Sequence, residues 1–264
     1  MTANTTTANT TTANTTTANT KVYTHEFIDI LGTNRANYIH HMTANWSPIA
    51  QEERNQLCYG VWGVIGTTGR WPQVINMWEE DGFDGLAAGL EHETKSAAFQ
   101  DPKLAKWWQE ASGYRSGGLD RIVVPAPWAP TIEQLCADGV RGDVYAHELV
   151  KVPRGTASDF LEIAADEAAP VYASFGWKLV GAFRTALADD SECLLLWAIE
   201  SMQAWAELEK AATFGGEAVN RWSKRLREVS ESSGRFLMRD APLSPMRIGR
   251  QPSRADRHEG WTDL

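Results

Sequence analysis

The sequence predicts an α+β protein in which two related β-α-β-β-α-β units form one barrel. The first observation is a repeat: residues 23–27 (YTHEF) recur as residues 145–149 (YAHEL), and the same order of strand-like and helical segments follows each copy. The second is that such a unit carries both helices on one face of its sheet, so the other face needs cover. We therefore expect the two sheets to pack face to face within one chain.

The chain of 264 residues has room for two domains of about 100–120 residues each. We place the first unit at residues 21–128 and the second at residues 141–241. Residues 1–20 are dominated by a TANTT repeat, which cannot bury enough apolar surface to fold, so we expect them to be disordered. Residues 242–264 are predicted to form a polar tail that is extended or disordered.

The first unit shows each element in turn. A strand-like stretch ends at a glycine turn, a helical pattern follows, and two apolar runs around a turn have the form of a β-hairpin. A long helical region with one break and a short last strand complete the unit. These segments are residues 23–30, 34–49 with a break near 47–48, 57–64, 73–78, 83–112 with a break at 101–102, and 119–124.

The second unit repeats this order after a linker that begins with residues 125–130. Trp78 and Trp197 end equivalent strands of the two units. The segments of the second unit are residues 145–151, 158–172, 176–183, 192–197, 202–231 with a break at 215–216, and 235–239.

Composition excludes several classes of function. The net charge of −9 argues against nucleic acid as a partner, and the longest apolar run, residues 193–199, is far shorter than the roughly 20 residues of a membrane span. The three cysteines, Cys58, Cys136 and Cys193, are widely spaced, which favours reduced thiols in a cytoplasmic protein over a disulfide framework or a metal site. Phosphate-loop, dinucleotide and nucleophile-elbow motifs are missing from the sequence.

The chain resembles the NIPSNAP family of the dimeric α+β barrel superfamily. The resemblance covers residues 21–125 and 143–240. It lies in the Tyr- and Glu-bearing first strand, in the apolar-Trp-Glu end of the third strand, and in a Trp near the end of the late helix. The matching segments are residues 23–32, 77–80 (MWEE), 196–198 (LWA), 106–109 (KWWQ) and 221–223 (RWS).

The resemblance implies two tandem ferredoxin-like βαββαβ domains. The sequence departs from the family where His25 replaces a more usual Arg and where no Glu follows residues 197–198. Members of the superfamily include haem-dependent and cofactor-free monooxygenases, dehydratases, muconolactone-type isomerases and proteins without known activity. Many relatives pair, so a homodimer stays open, although a tandem chain does not need one to cover its sheets.

Alternation along the first strand predicts which side chains face the barrel. Tyr23, His25, Phe27 and Asp29 share one face, and Ile28 and Ile30 on the opposite face suit packing against helices. In the second unit, Tyr145 and His147 repeat the inward pair. If the faces are exchanged, Glu26 and Glu148 line the pocket instead and serve as the base.

The candidate catalytic residues are His25, His147, Tyr23 and Tyr145. Histidine titrates near neutral pH and can take and return a proton, and the tyrosines would position a polar group of the substrate. The competing interpretation is that each histidine is a buried structural residue inherited through duplication. The residues predicted to bind an aromatic substrate are Asp29, Phe27, Trp62 and Trp177, since a chain with 12 Trp is expected to offer an aromatic wall.

The sequence therefore predicts an enzyme of catabolic or secondary metabolism that acts on an aromatic or cyclic apolar small molecule. The predicted reaction is proton transfer without a cofactor or a metal, by an isomerase (tautomerase) or a lyase. One alternative is a haem-dependent monooxygenase or dehydratase with a histidine as axial ligand. Another is a protein that binds a ligand or a partner without catalysis.

Overall fold

The computed structural model of the chain describes residues 18–187 and 189–258. It contains eight strands, and every strand pair is antiparallel. The strands are β1 (Val22–Ile30), β2 (Leu57–Val64), β3 (Gln73–Glu80), β4 (Arg115–Pro125), β5 (Val144–Lys151), β6 (Trp177–Thr185), β7 (Glu192–Ile199) and β8 (Ser232–Asp240).

The strands close into a barrel in the order β1-β3-β2-β8-β5-β7-β6-β4. The first half contributes β4-β1-β3-β2 and the second half β8-β5-β7-β6, so equivalent strands follow each other in the same order. The halves join through the β2–β8 and β4–β6 pairs. The predicted fold class, tandem βαββαβ repeats forming an α+β barrel, is confirmed.

Helices cover the outside of each sheet. In each half the helical segment after the first strand contains a π-helical stretch, at His41–Trp46 and Ala164–Ala168. The two long helical regions, predicted at residues 83–112 and 202–231, are each interrupted, the first before Pro102 and the second at Gly215. None of the helices among the described residues is long and apolar enough to cross a membrane. The α-helices are α1 (Arg35–His40), α2 (Ser47–Arg54), α3 (Gly82–Thr94), α4 (Ala105–Tyr114), α5 (Ile132–Ala137), α6 (Ala157–Ile163), α7 (Ala169–Ala173), α8 (Met202–Phe214), α9 (Glu217–Val229) and α10 (Pro245–Ile248).

The described part of the tail is packed, whereas the sequence predicted an extended or disordered segment. The Gln251 side-chain amide bonds both the N–H and the C=O of Cys58, each at 2.9 Å. The Arg257 guanidinium donates to the carbonyls of Ala44 and Asn45 in the first π-helical stretch. Polar side chains of the tail therefore satisfy backbone groups of the first half, which composition alone does not reveal. Residues 1–17, which hold most of the TANTT repeat, and residues 259–264 lie outside the described part.

The barrel interior is filled mainly with aromatic side chains. The Tyr23 ring packs edge-on against Tyr59 and Phe183, with centroids 5.2 and 4.9 Å away, and Trp62 is fully buried nearby. Two further apolar clusters lie between the sheets and the helices of each half. The faces left bare by the helices thus bury each other, as expected for paired sheets.

His25 and His147 lie inside this barrel with ring centroids 5.2 Å apart. Both are fully buried, and none of their four ring nitrogens has a hydrogen-bond partner among the described residues. Burial, followed by the charge of Arg121, lowers the pKa of His25 to about 3. Burial, followed by His25, lowers the pKa of His147 as well.

We expect the pair to make the fold sensitive to acid. Because the folded state holds both imidazoles neutral, stability is complete above their ordinary pKa of 6.5 and falls below it, by about 1.4 kcal/mol per pH unit for each imidazole. Urea unfolding at pH 7.0 and 5.5 measures this loss. A His25→Leu/His147→Leu variant should lose much less stability over the same interval, and an equal loss in both proteins would contradict this assignment.

Candidate functional site

The barrel side holds most of the residues predicted to form a site, and the hydroxyl groups of its two tyrosines are already hydrogen-bonded to protein. The Tyr23 hydroxyl donates to Glu79 Oε2 at 2.8 Å, and the Tyr145 hydroxyl accepts from the Gly142 N–H at 3.0 Å. His25 and His147 face inward, as alternation predicted, and both are fully buried with their rings in contact. The space between the two Tyr-x-His pairs is therefore filled by these side chains.

The predicted binding residues separate into three places. Phe27 and Asp29 border a cavity of about 390 Å³ at one mouth of the barrel, where Asp29 accepts hydrogen bonds from Arg70 and Gln73. Trp62 is buried in the interior, with its ring centroid 5.4 Å from that of His147. These residues do not enclose one common site.

Trp177 corrects the prediction. It lies on the helix side of its sheet, where its ring packs against Tyr172 and its Nε1 donates to the Ala204 carbonyl at 3.4 Å. The cause is a register shift between Leu179 and Gly181 in β6. Phe183 faces the barrel interior, and simple alternation along β6 would place Trp177 on the same side. The bulge adds one residue between them, so Trp177 faces the helices instead.

A cavity lined by aromatic and ionisable side chains lies on the other side of the first sheet, beneath its helices. It has a volume of about 500 Å³, within the usual range of small-molecule sites. We call it the helix-side cavity. The residues that line it are Thr24, Glu26, Met42, Trp46, Arg54, Gln56, Trp78, Glu80, Leu86, Gly89, Leu90, Glu93, Thr94, Trp107, Trp108, Arg115, Asp120, Arg121, Ile122 and Leu187.

Four tryptophans give the helix-side cavity an aromatic wall. The centroids of Trp46 and Trp107 lie 4.9 Å apart, and those of Trp107 and Trp108 lie 5.0 Å apart at nearly right angles. Trp78 reaches the cavity from β3. The indole Nε1 atoms of Trp107 and Trp108 are buried without a hydrogen-bond partner in the described part of the chain. An oxygen atom of a flat ligand would satisfy such donors.

Glu26 is the carboxyl group placed for acid–base chemistry in this cavity. Asn76 Nδ2 donates to Glu26 Oε2 at 2.7 Å and also to the Tyr38 hydroxyl at 2.8 Å. Burial raises the pKa of Glu26 to about 7, and the negative charge of Asp120, its partner across β1 and β4, acts in the same direction. At neutral pH this carboxyl group therefore exists in both protonation states.

Charged groups flank the aromatic wall. The Arg54 guanidinium lies 4.9 Å from the Trp46 ring centroid and pairs with Glu93 at 3.4 Å. Glu80 is almost fully buried and accepts hydrogen bonds from Gln56 and, at 3.5 Å, from Thr24, while burial raises its pKa. The cavity thus offers both a cation and carboxyl groups beside apolar surface.

Glu53, His92 and Asp101 bring three potential metal-ligating atoms within 4.8 Å of one another. None of the three lines the helix-side cavity. Asp101 Oδ2 already bonds His92 at 2.7 Å and lies 3.8 Å from Arg54 Nη2. The Asp101 carboxylate therefore already has protein partners, one of which is Arg54.

The haem alternative needs a histidine as axial ligand. His25 and His147 are enclosed by the packed interior. A haem bound by either residue would require this interior to open.

The sequence predicts Glu26 as the base only if the two faces of β1 are exchanged, and it gives no role to Trp46, Asn76 or Asp120. The side chains of β1 face the sides that alternation predicts, but the cavity lies on the helix side of the sheet and not on the barrel side. One available signal was Asn76, a polar residue in an otherwise apolar strand (residues 73–78, QVINMW). A buried polar residue in such a run commonly serves a specific hydrogen bond.

Comparison with known proteins shows the fold. No protein-family model and no curated protein matches the chain. Among solved structures, an anthrone oxidase-like protein is 11% identical, covers 84% of this chain and 92% of its own, and has a TM-score of 0.56. A candidate monooxygenase from Lactobacillus acidophilus NCFM is 9% identical, covers 89% and 97%, and has a TM-score of 0.54.

NIPSNAP family proteins match a smaller part of the chain. One from Agrobacterium tumefaciens strain C58 is 21% identical, covers 40% of this chain and 96% of its own, and has a TM-score of 0.34.

Gly89 provides a test of the helix-side cavity. It lines the cavity from α3, and a Cβ added there meets no atom within 4 Å. Gly89→Leu should fill the space, weaken binding of a flat aromatic probe such as 1-naphthol at least tenfold, and stabilise the helix by about 0.8 kcal/mol. Calorimetric titration and thermal unfolding measure the two effects.

Gly113→Leu is the matched control. Gly113 is also helical with open space around its Cβ, but it lies outside the cavity. This variant should leave 1-naphthol binding unchanged. Equal binding by the wild type and Gly89→Leu would show that the probe binds elsewhere.

Proposed function

We propose that the protein is an enzyme that removes a proton from an aromatic or cyclic, mostly apolar small molecule bound in the helix-side cavity. Glu26 is the base. The observation that carries this proposal is a carboxyl group with a pKa of about 7 at the wall of a cavity lined by four tryptophans. A base whose pKa lies near the working pH combines a sufficient ionised fraction with a useful affinity for the proton.

Binding follows from the aromatic wall. The faces of Trp46, Trp107 and Trp108 offer stacking surface for a fused-ring ligand. The unpartnered indole N–H groups would donate to a carbonyl or phenol oxygen of that ligand. A cyclic ketone or phenol with an acidic C–H or O–H bond meets both requirements.

The proton step uses groups already placed around Glu26. Asn76 holds Oε2, so Oε1 receives the proton, either from the carbon next to a ketone carbonyl or from a phenol hydroxyl. The electron pair of a broken C–H bond moves onto the carbonyl oxygen, and that of a broken O–H bond stays on the phenol oxygen. In both cases indole N–H groups stabilise the negative charge on oxygen. Return of the proton to another atom of the ligand completes a tautomerisation, and loss of a leaving group instead completes an elimination.

A second candidate is oxidation by dioxygen. The names of two fold neighbours, an anthrone oxidase-like protein and a candidate monooxygenase, motivate it. The first step is the same deprotonation, because an enolate can pass electrons to dioxygen directly. A ring methylene plus O2 then gives a ring carbonyl plus water. Dioxygen consumption separates this reaction from tautomerisation.

Two other hypotheses remain as alternatives. Catalysis by His25 or His147 would require the packed barrel interior to open. A protein that binds a ligand without turnover would show affinity for the cavity ligand but no proton exchange beyond the uncatalysed rate.

Replacement of Glu26 tests the base. With anthrone as the probe under argon in D2O, the wild type should accelerate exchange of the methylene protons as followed by NMR. Glu26→Gln keeps the shape of the side chain but cannot accept the proton, so the acceleration should fall at least 100-fold. Anthrone affinity, measured by tryptophan fluorescence, should change little. The same assay in air reports whether dioxygen is consumed.

Glu148→Gln is the matched control, since Glu148 occupies the equivalent position of the second half, and it should keep the wild-type exchange rate. His25→Leu/His147→Leu should keep it too. Loss of exchange in this double variant, with its fold intact and with Glu26→Gln active, would transfer the catalytic role to the histidines.

The pH dependence follows from the charge that Glu26 must carry. The base is active as the carboxylate, so the second-order rate constant for catalysed exchange should rise with pH and level off above a midpoint near 7. Initial rates between pH 5.5 and 8.5, corrected for the uncatalysed reaction, define the profile. A flat profile across this interval would be incompatible with Glu26 as the base.

A further inference from the structure

The two halves place a glutamate at the same position of the barrel. Glu26 pairs with Asn76 across β1 and β3 and with Asp120 across β1 and β4. Glu148 pairs with Leu195 across β5 and β7 and with Arg235 across β5 and β8. Each glutamate faces the helices of its own half and borders a cavity, of about 500 Å³ in the first half and about 300 Å³ in the second.

In the second half the glutamate is neutralised by a cation. Arg235 Nη2 lies 3.4 Å from Glu148 Oε1, and Trp197 Nε1 donates to Oε2 at 2.9 Å. Arg235 is held in place by the Tyr172 hydroxyl at 2.6 Å and by the rings of Tyr172 and Trp177, whose centroids lie 5.1 and 5.0 Å from the guanidinium. Glu148 is 3% exposed, so its charge is shared with protein groups and not with a ligand.

In the first half the cross-strand position carries the opposite charge. Asp120 lies opposite Glu26 at the position where Arg235 lies opposite Glu148. Two negative charges directly opposite each other on neighbouring strands repel, which destabilises the ionised pair. Trp78 is the equivalent of Trp197, and its indole, like the Asn76 amide, acts to lower the pKa of Glu26. The two halves therefore differ at the cross-strand position, where Glu26 has a like charge and Glu148 has a cation.

Other ionisable groups also face Glu26. Arg115, five residues before Asp120 on β4, lowers the pKa of Glu26, whereas Asp120 raises it. Tyr38 from α1 and Cys58 from β2 also lie close to Glu26. Arg54 and Glu80 line the cavity further away. Of the charged groups nearest to Glu26, Asp120 is the one whose counterpart in the second half has the opposite sign.

We propose that Asp120 and Arg235, at equivalent positions of the two halves, determine which cavity can exchange a proton at neutral pH. Asp120 places a like charge across from Glu26, and Arg235 holds Glu148 in an ion pair. Asp120 is a positioning residue, because it acts through its charge on Glu26 and not on the ligand. The inference deepens the proposed function and rests on it only for the catalytic consequence.

The charge effect can be measured without any substrate. Infrared difference spectra of the whole protein, recorded across a pH titration, should show a protonated-carboxyl band that disappears with a midpoint near 7. Burial also raises the pKa of Asp240, to about 6, and the pKa values of Glu79 and Glu80, so these groups contribute to the band. Glu26 is identified as the component with a midpoint near 7 that Glu26→Gln loses and Glu148→Gln keeps. In Asp120→Asn, which keeps the side-chain shape, the midpoint should fall by about one pH unit or more. An unchanged midpoint would overturn the role of Asp120.

Arg235 provides the reciprocal test. Arg235→Gln removes the cation beside Glu148, so a second carboxyl band should titrate, and it should vanish when Glu148→Gln is added. Absence of the second band in a folded protein, judged by near-ultraviolet circular dichroism, would overturn the role of Arg235. If the variant does not fold, the Asp120→Asn titration still decides the inference for the first half.

The catalytic consequence is tested separately with anthrone. Asp120→Asn should shift the midpoint of the pH–rate profile in the same direction and by the same amount as the infrared midpoint, and it should leave KM within about twofold. A shifted infrared midpoint without catalysed exchange in any variant would refute the proposed function and leave the charge effect standing. A shifted infrared midpoint with an unshifted rate profile would overturn the link between Asp120 and catalysis.

Discussion

The mutual burial of the two bare sheet faces is the contact on which the rest of the structure depends. Each four-stranded sheet carries its helices on one side, and the other side becomes stable only against a second sheet. Closure of the barrel fills its centre with Tyr23, Tyr59, Trp62, Phe183 and the histidine pair. A centre packed this densely leaves the space for a ligand between sheet and helices.

Duplication supplied two such spaces, and the side chains have since diverged. In the first half, Trp46 and Trp107 widen the aromatic wall, and Asp120 faces the buried Glu26. In the second half, Arg235 enters the smaller cavity and pairs with Glu148. Under the proposed function, the first half carries the working carboxyl group, and the second half holds its equivalent glutamate in an ion pair.

Much of the fold follows from local sequence patterns. Alternation of side chains placed His25 and His147 inside the barrel, and glycine and proline positions marked most element ends. Trp177 could not be placed, because the bulge near Gly181 reverses alternation through hydrogen bonds that only the paired strands reveal. The helix-side cavity was not predictable either, since it depends on how the helices bearing Trp46 and Trp107 rest on the sheet. The packed tail, anchored by Gln251 and Arg257, likewise depends on distant backbone groups.

In the proposed function the ligand binds between the first sheet and its helices and not inside the barrel. A crystal structure of the protein with anthrone or 1-naphthol bound tests this directly. We expect ring density against Trp46, Trp107 and Trp108, with a ligand oxygen near an indole Nε1 and Glu26 beside the acidic C–H or O–H bond. Density between His25 and His147, with the helix-side cavity empty, would contradict it.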